Sequence, residues 1–406
     1  MRETHAKGAV IFFAFAFTYF FSALLRAVTA TLAPVFSAEL ALGAGDLGLL
    51  AAAYFLGFAS MQLPLGKALD RFGPRRTLLV LLAVAVFGCS AFALASSLLG
   101  LIVARVLIGA GVAACLMAPL TLYRSVFSPA AQLRANSWML MTGSLGMVAS
   151  TLPVQWVLPV LGWRGLFWTV AALLAVCMVL IVQWVPPDAV PRAAARRSHG
   201  GYAEIARHPL FAAMAPLGFF VYGGMIAVQS LWAGPWLTRV AHLNAEQAAQ
   251  GLFAINLSML LAFLCWGAVM PRLVSKGIDA SRIMAWGLPL PLVLLFVNVA
   301  LGSDAGAAHW ALWCVACTFV STSQPAVGAA FPAEQAGRAL SAFNLVIFSG
   351  VFCVQWGIGL LVDLLQVWGL AETEAFRVAL GTLGVCGALA YAWFLRSRPP
   401  GAHNGA

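Results

Sequence analysis

The feature that most constrains this chain is a run of about twenty apolar residues that recurs twelve times. That length, as a helix, crosses the ~30 Å hydrocarbon core of a bilayer. The first six runs fall at 9–33, 47–65, 77–95, 99–122, 136–158 and 166–185. A polar stretch, 186–208, follows, and the second six lie at 210–232, 248–270, 283–301, 310–330, 339–362 and 376–395. The runs are too long for barrel strands and do not alternate. With 62% of 406 residues apolar and 9% charged, against about 25% charged in a soluble domain, no aqueous core could hold the excess. The fold class expected is an all-α integral membrane protein. Run 9–33 is longer than the apolar core of a signal peptide and contains Arg26, so it is read as a retained first helix.

The net charge of +10 would suggest nucleic acid in a soluble chain; here its placement reads as topology. With the N-terminus inside, 18 Lys and Arg fall in inner segments, three (Arg164, Arg239, Arg377) in outer loops and two (Arg26, Arg105) within spans. Both termini are therefore expected in the cytoplasm, and no nucleic-acid partner is expected. The eight cysteines lie inside the spans, which argues against a disulfide framework. Cys314-x-x-Cys317 has redox or metal spacing but no nearby His or second pair, and reads as packing. No cofactor or metal is expected.

The two halves echo one another. Pro34 pairs with Pro235, Gly66 with Gly267 and Arg71 with Arg272, each 201 residues on. Arg134-Ala-x-Ser137 pairs with Arg338-Ala-x-Ser341; each Arg is followed twelve residues later by Gly146 or Gly350, and then by a Gln-Trp pair. Order and offset together indicate duplication. The organisation expected is a six-helix bundle over 1–185, a cytoplasmic linker over 186–208, and a second six-helix bundle with a short tail over 209–406. Repeats of this kind place a transport site between halves near the midplane.

The loop after the second run reads Gly66-Lys-Ala-Leu-Asp70-Arg71-Phe-Gly73-Pro-Arg75-Arg76. It resembles the signature loop of the major facilitator superfamily, G-x-x-x-D-R-x-G-R-[RK], departing from it at Pro74. The resemblance extends to twelve helices in two six-helix pseudo-repeats, and to a degenerate copy at Gly267–Arg272 with Pro271 in place of the acid. Gly66 suits a close helix approach and Gly73 a tight turn. The resemblance implies that Asp70 faces the start of the eleventh helix near Ala339, with Arg71, Arg75 and Arg338 completing a gating cluster. Leu101-x-x-x-Arg105-x-x-x-Gly109-x-Gly111-x-Ala113 resembles the fourth-helix motif, with Ile108 where Gln is usual. The G-P-x-x-G-G motif of drug/proton antiporters is absent; Gly143-Ser-Leu-Gly146 and Pro153 stand in the fifth run.

Arg26 lies about eight residues before Pro34, roughly 12 Å from the outer end. Placing Arg there costs ~2.5–3.5 kcal/mol on insertion scales. Tyr19, Ser22, Arg26 and Thr29, spaced three, four and three, form a polar stripe, which the family resemblance points toward the cavity. Arg105 lies at comparable depth. Two cations there suit an anion, which Arg can hold through two parallel hydrogen bonds. The alternatives are that Arg26 snorkels outward and that Arg105 bonds backbone carbonyls. Tyr54, Asn256 and Asn344 fall at middle depth, and Tyr222, Gln229 and Trp232 on one helical face. In the duplication Arg26 pairs with Ala227, on roughly the opposite face from Gln229, so both stripes reach one cavity only if the repeats differ in helical phase. Ser321-Thr322-Ser323-Gln324 reads as packing or as a hydrated gate.

All thirteen Asp and Glu lie in loops, tails or helix ends. A proton-coupled carrier without a buried acid would carry its proton on an anionic substrate; otherwise the chain exchanges or facilitates. The expected function is transport of a small organic solute by alternating access, an organic anion favoured, by a monomer in a bacterial inner membrane. Drug or metabolite efflux is the alternative. A membrane enzyme or receptor is more distant, since no nucleophile with a base and no phosphate loop is present. Asp70→Asn is expected to reach the membrane normally yet slow transport; unchanged uptake kinetics would remove Asp70 from the gate.

Overall fold

The computed structural model describes residues 2–188 and 202–397. Among these residues every regular element is helical. The expected linker lies largely in 189–201, outside the described residues, as does Arg398.

α1 (Arg2–Leu40) fills the first run. α2 (Ala44–Ser60) and α3 (Gln62–Phe72) share the second and meet at a 43° bend. α4 (Pro74–Leu94) is the third; α5 (Leu98–Val112) and α6 (Ala114–Val126) share the fourth. α7 (Pro129–Ala149) begins the fifth, and α8 (Leu152–Trp184) takes in its end and all of the sixth. The expected loop between them is reduced to Gly162, whose φ of 63° breaks α8 where an L side chain would be strained.

α9 (Tyr202–Arg207) precedes the seventh run, which is the most irregular. α10 (Pro209–Pro216), α11 (Gly223–Ala227) and α12 (Ala233–Pro235) are separated and followed by π-helical turns at Leu217–Tyr222, Val228–Trp232 and Trp236–Val240. Pro216 and Pro235 have no N–H to donate, and each stands immediately before a π turn. α13 (Ala245–Ser275) follows, then α14 (Ala280–Gly287) with α15 (Pro289–Leu301). α16 (Ala307–Cys317) and α17 (Ser323–Ala329) flank a 3₁₀ stretch, Thr318–Thr322; α18 (Ala333–Val367) and α19 (Glu372–Ser397) end the described chain. Among the described residues nine helices are long and apolar enough to span a membrane, ten if the bent α2–α3 pair is one span. α7 and the interrupted α16–α17 occupy the places of the expected fifth and tenth.

The chain forms two compact units: Met1–Leu40 with Ala53–Ala195, and Ala41–Ala52 with Arg196–Ala406. Within the first, α1 packs on α7 and α8, and α4 on α5 and α8. Within the second, α18 packs on α11, α17 and α19, and α13 on α16.

Lipid offers no hydrophobic driving force between helices, so close backbone approach carries the association. Gly57 on α2 faces the Val106 carbonyl of α5, and Gly109 on α5 faces the Tyr54 carbonyl of α2. The fourth-helix motif is thus a reciprocal glycine contact. The duplication recurs in the same terms. Gly146 on α7 faces the Phe20 carbonyl of α1, and its sequence counterpart Gly350 on α18 faces the Phe219 carbonyl in the seventh run. Phe20 stands 14 residues before Pro34, whereas Phe219 stands 16 before Pro235. Two π turns lie in or across that longer interval, and a π turn is the local change that takes in an extra residue without ending a helix. The repeats therefore do differ in helical phase.

Gly109→Val is expected to lower thermal stability sharply, by about 1–3 kcal/mol or more, because its side chain would be driven into the Tyr54 backbone. Gly267→Ala, with nothing within 4 Å of the added methyl, is the control expected to stay within about 1 kcal/mol. Thermal unfolding of the two purified variants in one detergent makes the comparison.

Candidate functional site

In the first unit the deep polar residues meet around Tyr54. Arg26 is half-buried, and its guanidinium lies within hydrogen-bonding reach of the hydroxyls of Tyr19 and Tyr54 and 5.6 Å from the centre of the Phe58 ring. The Tyr54 hydroxyl donates to the Ser22 carbonyl at 3.2 Å. Tyr19, Ser22 and Tyr54 are buried, so Arg26 is the member of this group with solvent-accessible surface. The tyrosines satisfy donors of Arg26 but are neutral, so its charge is not balanced by them. Gly143 lets Tyr19 lie flat on α7: a Cβ there would fall 2.8 Å from the ring carbon bearing the hydroxyl.

Arg105 is placed differently. It has no exposed surface, and donates to the Leu25 carbonyl at 2.9 Å and to the Thr29 hydroxyl at 2.6 Å. Its guanidinium also lies 5.2 Å from the centre of the Tyr54 ring. This is the arrangement in which Arg105 bonds α1, and in this structure it presents no surface of its own. Thr29, tied to Arg105 and buried, leaves the exposed part of the stripe for the same reason.

In the second unit, Tyr222, Gln229 and Trp232 each bond a different helix. The Tyr222 hydroxyl lies 3.5 Å from Gln324 Oε1, and the Gln324 amide donates to Asn344 Oδ1 at 2.6 Å. Gln229 donates to Asn256 Oδ1 at 3.0 Å, while the Trp232 indole donates to the Gln355 carbonyl at 3.1 Å. Three partners on three helices follow from the π turns, which rotate successive parts of the seventh run relative to a regular α-helix. Asn344, Asn256 and Gln229 are buried and all bonded. Ser321, Thr322 and Ser323 each bond the carbonyl three residues back, so of that quartet Gln324 alone reaches another helix. Fully buried Gln355, bonded to Ser230 Oγ at 2.8 Å, is a member of this polar interior that sequence reasoning missed. Its Gln-Trp match to Gln155-Trp156 was the available signal.

The signature loop is held by a residue not anticipated. Gly73 has a φ of 81°, Pro74 opens α4, and the Asp188 carboxylate accepts from the backbone N–H groups of Arg75 (3.0 Å) and Arg76 (2.8 Å). Arg75 in return donates to the Val182 carbonyl near the end of α8 at 2.6 Å. An acid thus caps the positive end of α4 and a base the negative end of α8. The signal was a lone acid just after the sixth run. Arg75 is therefore committed to α8, while Asp70 and Arg71 are exposed and Arg338 is half-buried. At Gly66, no atom of the described residues lies within 4 Å of an added Cβ.

Cys314 and Cys317 are buried free thiols, and among the described residues no group of three His, Cys, Asp or Glu could hold a metal. The three arginines assigned to the outer side each pair with a glutamate assigned to that side: Arg164–Glu39 at 2.6 Å, Arg239–Glu372 at 2.8 Å and Arg377–Glu374 at 2.6 Å.

No curated protein matches the chain in sequence. Among solved structures it resembles a bacterial homolog of the human lysosomal transporter Spinster, in an inward-facing and unoccupied conformation. That match has 16% identity and a TM-score of 0.73, and covers 98% of this chain and 99% of the other. It also resembles a D-xylose–proton symporter, with 16% identity, a TM-score of 0.76, and 96% and 97% covered. The family model described as Major Facilitator Superfamily matches residues 15–354. The chain, an all-helical protein with repeated apolar spans, belongs to the major facilitator superfamily.

Proposed function

We propose that this secondary transporter moves a small organic anion, and that Arg26 is the residue that holds its charged group. The observation carrying this reading is a half-buried guanidinium on a bed of Tyr19, Tyr54 and Phe58, in a chain whose thirteen carboxylates all lie outside the span interiors. An anion supplies the opposite charge the spans lack, and Arg26 can meet a carboxylate or phosphate with paired donors. The tyrosines orient the guanidinium, and Arg105 holds α1 on either side of it, at the Leu25 carbonyl and the Thr29 hydroxyl.

The absence of a deep acid also bears on coupling. A proton crossing with the solute would travel on the anion itself; otherwise the cycle is exchange or facilitation. The chain acts in a bacterial inner membrane with both termini in the cytoplasm. The three Arg–Glu pairs support that orientation, since each joins residues that the charge asymmetry assigns to the same side.

The test is thermal stability of the purified full chain with acetate, succinate and glycerol phosphate, against glycerol and D-xylose as neutral controls. A site ligand at 100 times its Kd stabilises by about 2.7 kcal/mol. At least one anion is expected to raise the melting temperature and the neutral compounds to leave it unchanged. Stabilisation by neutral compounds alone would overturn the anion reading.

The two arginines should then separate. Arg26→Ala is expected to abolish the response to the best anion with a modest change in stability. Arg105→Leu is expected to lower stability by about 2–5 kcal/mol while the folded fraction still responds to the anion. The same melting curves, with and without anion, read both.

A further inference from the structure

The second span is divided between the two units: Ala41–Ala52 packs with the second, and the chain from Ala53 onward with the first. What holds the early part is specific. Asp363, near the end of α18, accepts from the backbone N–H groups of Ala44 at 3.0 Å and Gly45 at 2.7 Å. These belong to the first turn of α2, where a helix leaves its N–H groups unpaired and its dipole favours an anion. Asp46, the acid of that turn, is directed instead toward the Gly43 N–H at 3.4 Å.

The approach depends on missing side chains. A Cβ on Gly45 would lie 2.6 Å from Asp363 Oδ2, and one on Gly48 would lie 2.6 Å from the Gln355 carbonyl. Gly359 on α18 faces the Ala44 carbonyl in return. A permanent helix crossing in lipid needs only such small residues. The carboxylate adds something different. Asp363 is half-buried at a helix end, so on separation both it and the N–H groups can turn to water, and the contact can be broken and remade without stranding a charge in hydrocarbon.

We propose that Asp363 is a releasable latch: it holds the first turn of α2 to α18 in the state seen here, and lets go when Ala41–Ala52 leaves the second unit during transport. The latch rests on the alternating-access reading and not on the organic-anion reading. Its test needs no substrate, so the two fail separately.

The experiment compares the full chain in lipid nanodiscs with Asp363→Asn and Gly45→Ala by hydrogen–deuterium exchange. Amides of 41–52 are expected to exchange about tenfold faster in both variants, with the rest of the second unit unchanged. Unchanged exchange in 41–52, or equal acceleration throughout the unit, would overturn the latch. Release itself is read by a membrane-impermeant maleimide at Ala51→Cys, Ala51 being buried. Labelling is quantified at that peptide because the chain has eight cysteines of its own. Slow labelling that rises severalfold when Asp363→Asn is added supports the proposal. No labelling in either background, or equal labelling in both, overturns it.

Discussion

A guanidinium without exposed surface, inside a helical unit, must find its hydrogen bonds among protein groups. Arg105 finds them on α1, at the Leu25 carbonyl and the Thr29 hydroxyl. Those anchors lie one residue before and three residues after Arg26, so the two bonds of Arg105 also fix the height and rotation of α1 beside Arg26. The reciprocal glycine contact of Gly57 and Gly109 brings Tyr54 against the same place, between the two guanidinium groups. The site is thus a consequence of how one buried charge is accommodated. An arginine deeply buried on one helix sets where the arginine on its neighbour stands.

The helical class and the spans at nine or ten of the twelve expected places were legible because lipid imposes them through composition and length. The fourth-helix glycines were legible through their motif, and Gly146 and Gly350 as counterparts, because close approach demands glycine by name. Side-chain direction was less so. Tyr222, Gln229 and Trp232 fit one face of a regular helix, yet each reaches a different helix because π turns intervene. A π turn follows from tertiary contact and a missing proline N–H, and apolar periodicity does not record it. The phase conflict between Arg26 and Gln229 was the trace it left in the sequence.

The role of each charged residue was legible to the extent that its partner was local. Arg26 and Arg105 looked alike by type and depth, and the contacts of Leu25 and Thr29 tell the fully buried guanidinium from the half-buried one. Arg75, assigned to a gate by resemblance, bonds the end of α8 in this structure, and Asp188, 113 residues away, orders the turn in which it stands. Local spacing identified the loop and could not identify the residue that fastens it.

Asp188 and Asp363 solve one physical problem in two places. A helix that begins at a membrane edge presents unpaired N–H groups and a positive dipole end, and in both cases a carboxylate from a distant helix end accepts two of them. The difference lies in what each joins. Asp188 ties α4 to the tail of α8 inside the first unit, and Arg75 returns the bond, so the arrangement is closed on itself. Asp363 ties down a segment whose helix continues into the other unit, and it is answered by the backbone N–H groups of two small residues, Ala44 and Gly45. Reciprocal charge makes a fixed joint; a one-sided cap over small residues makes one that water can replace. The same chemistry therefore serves rigidity within one unit and leaves the divided second span free to change its packing.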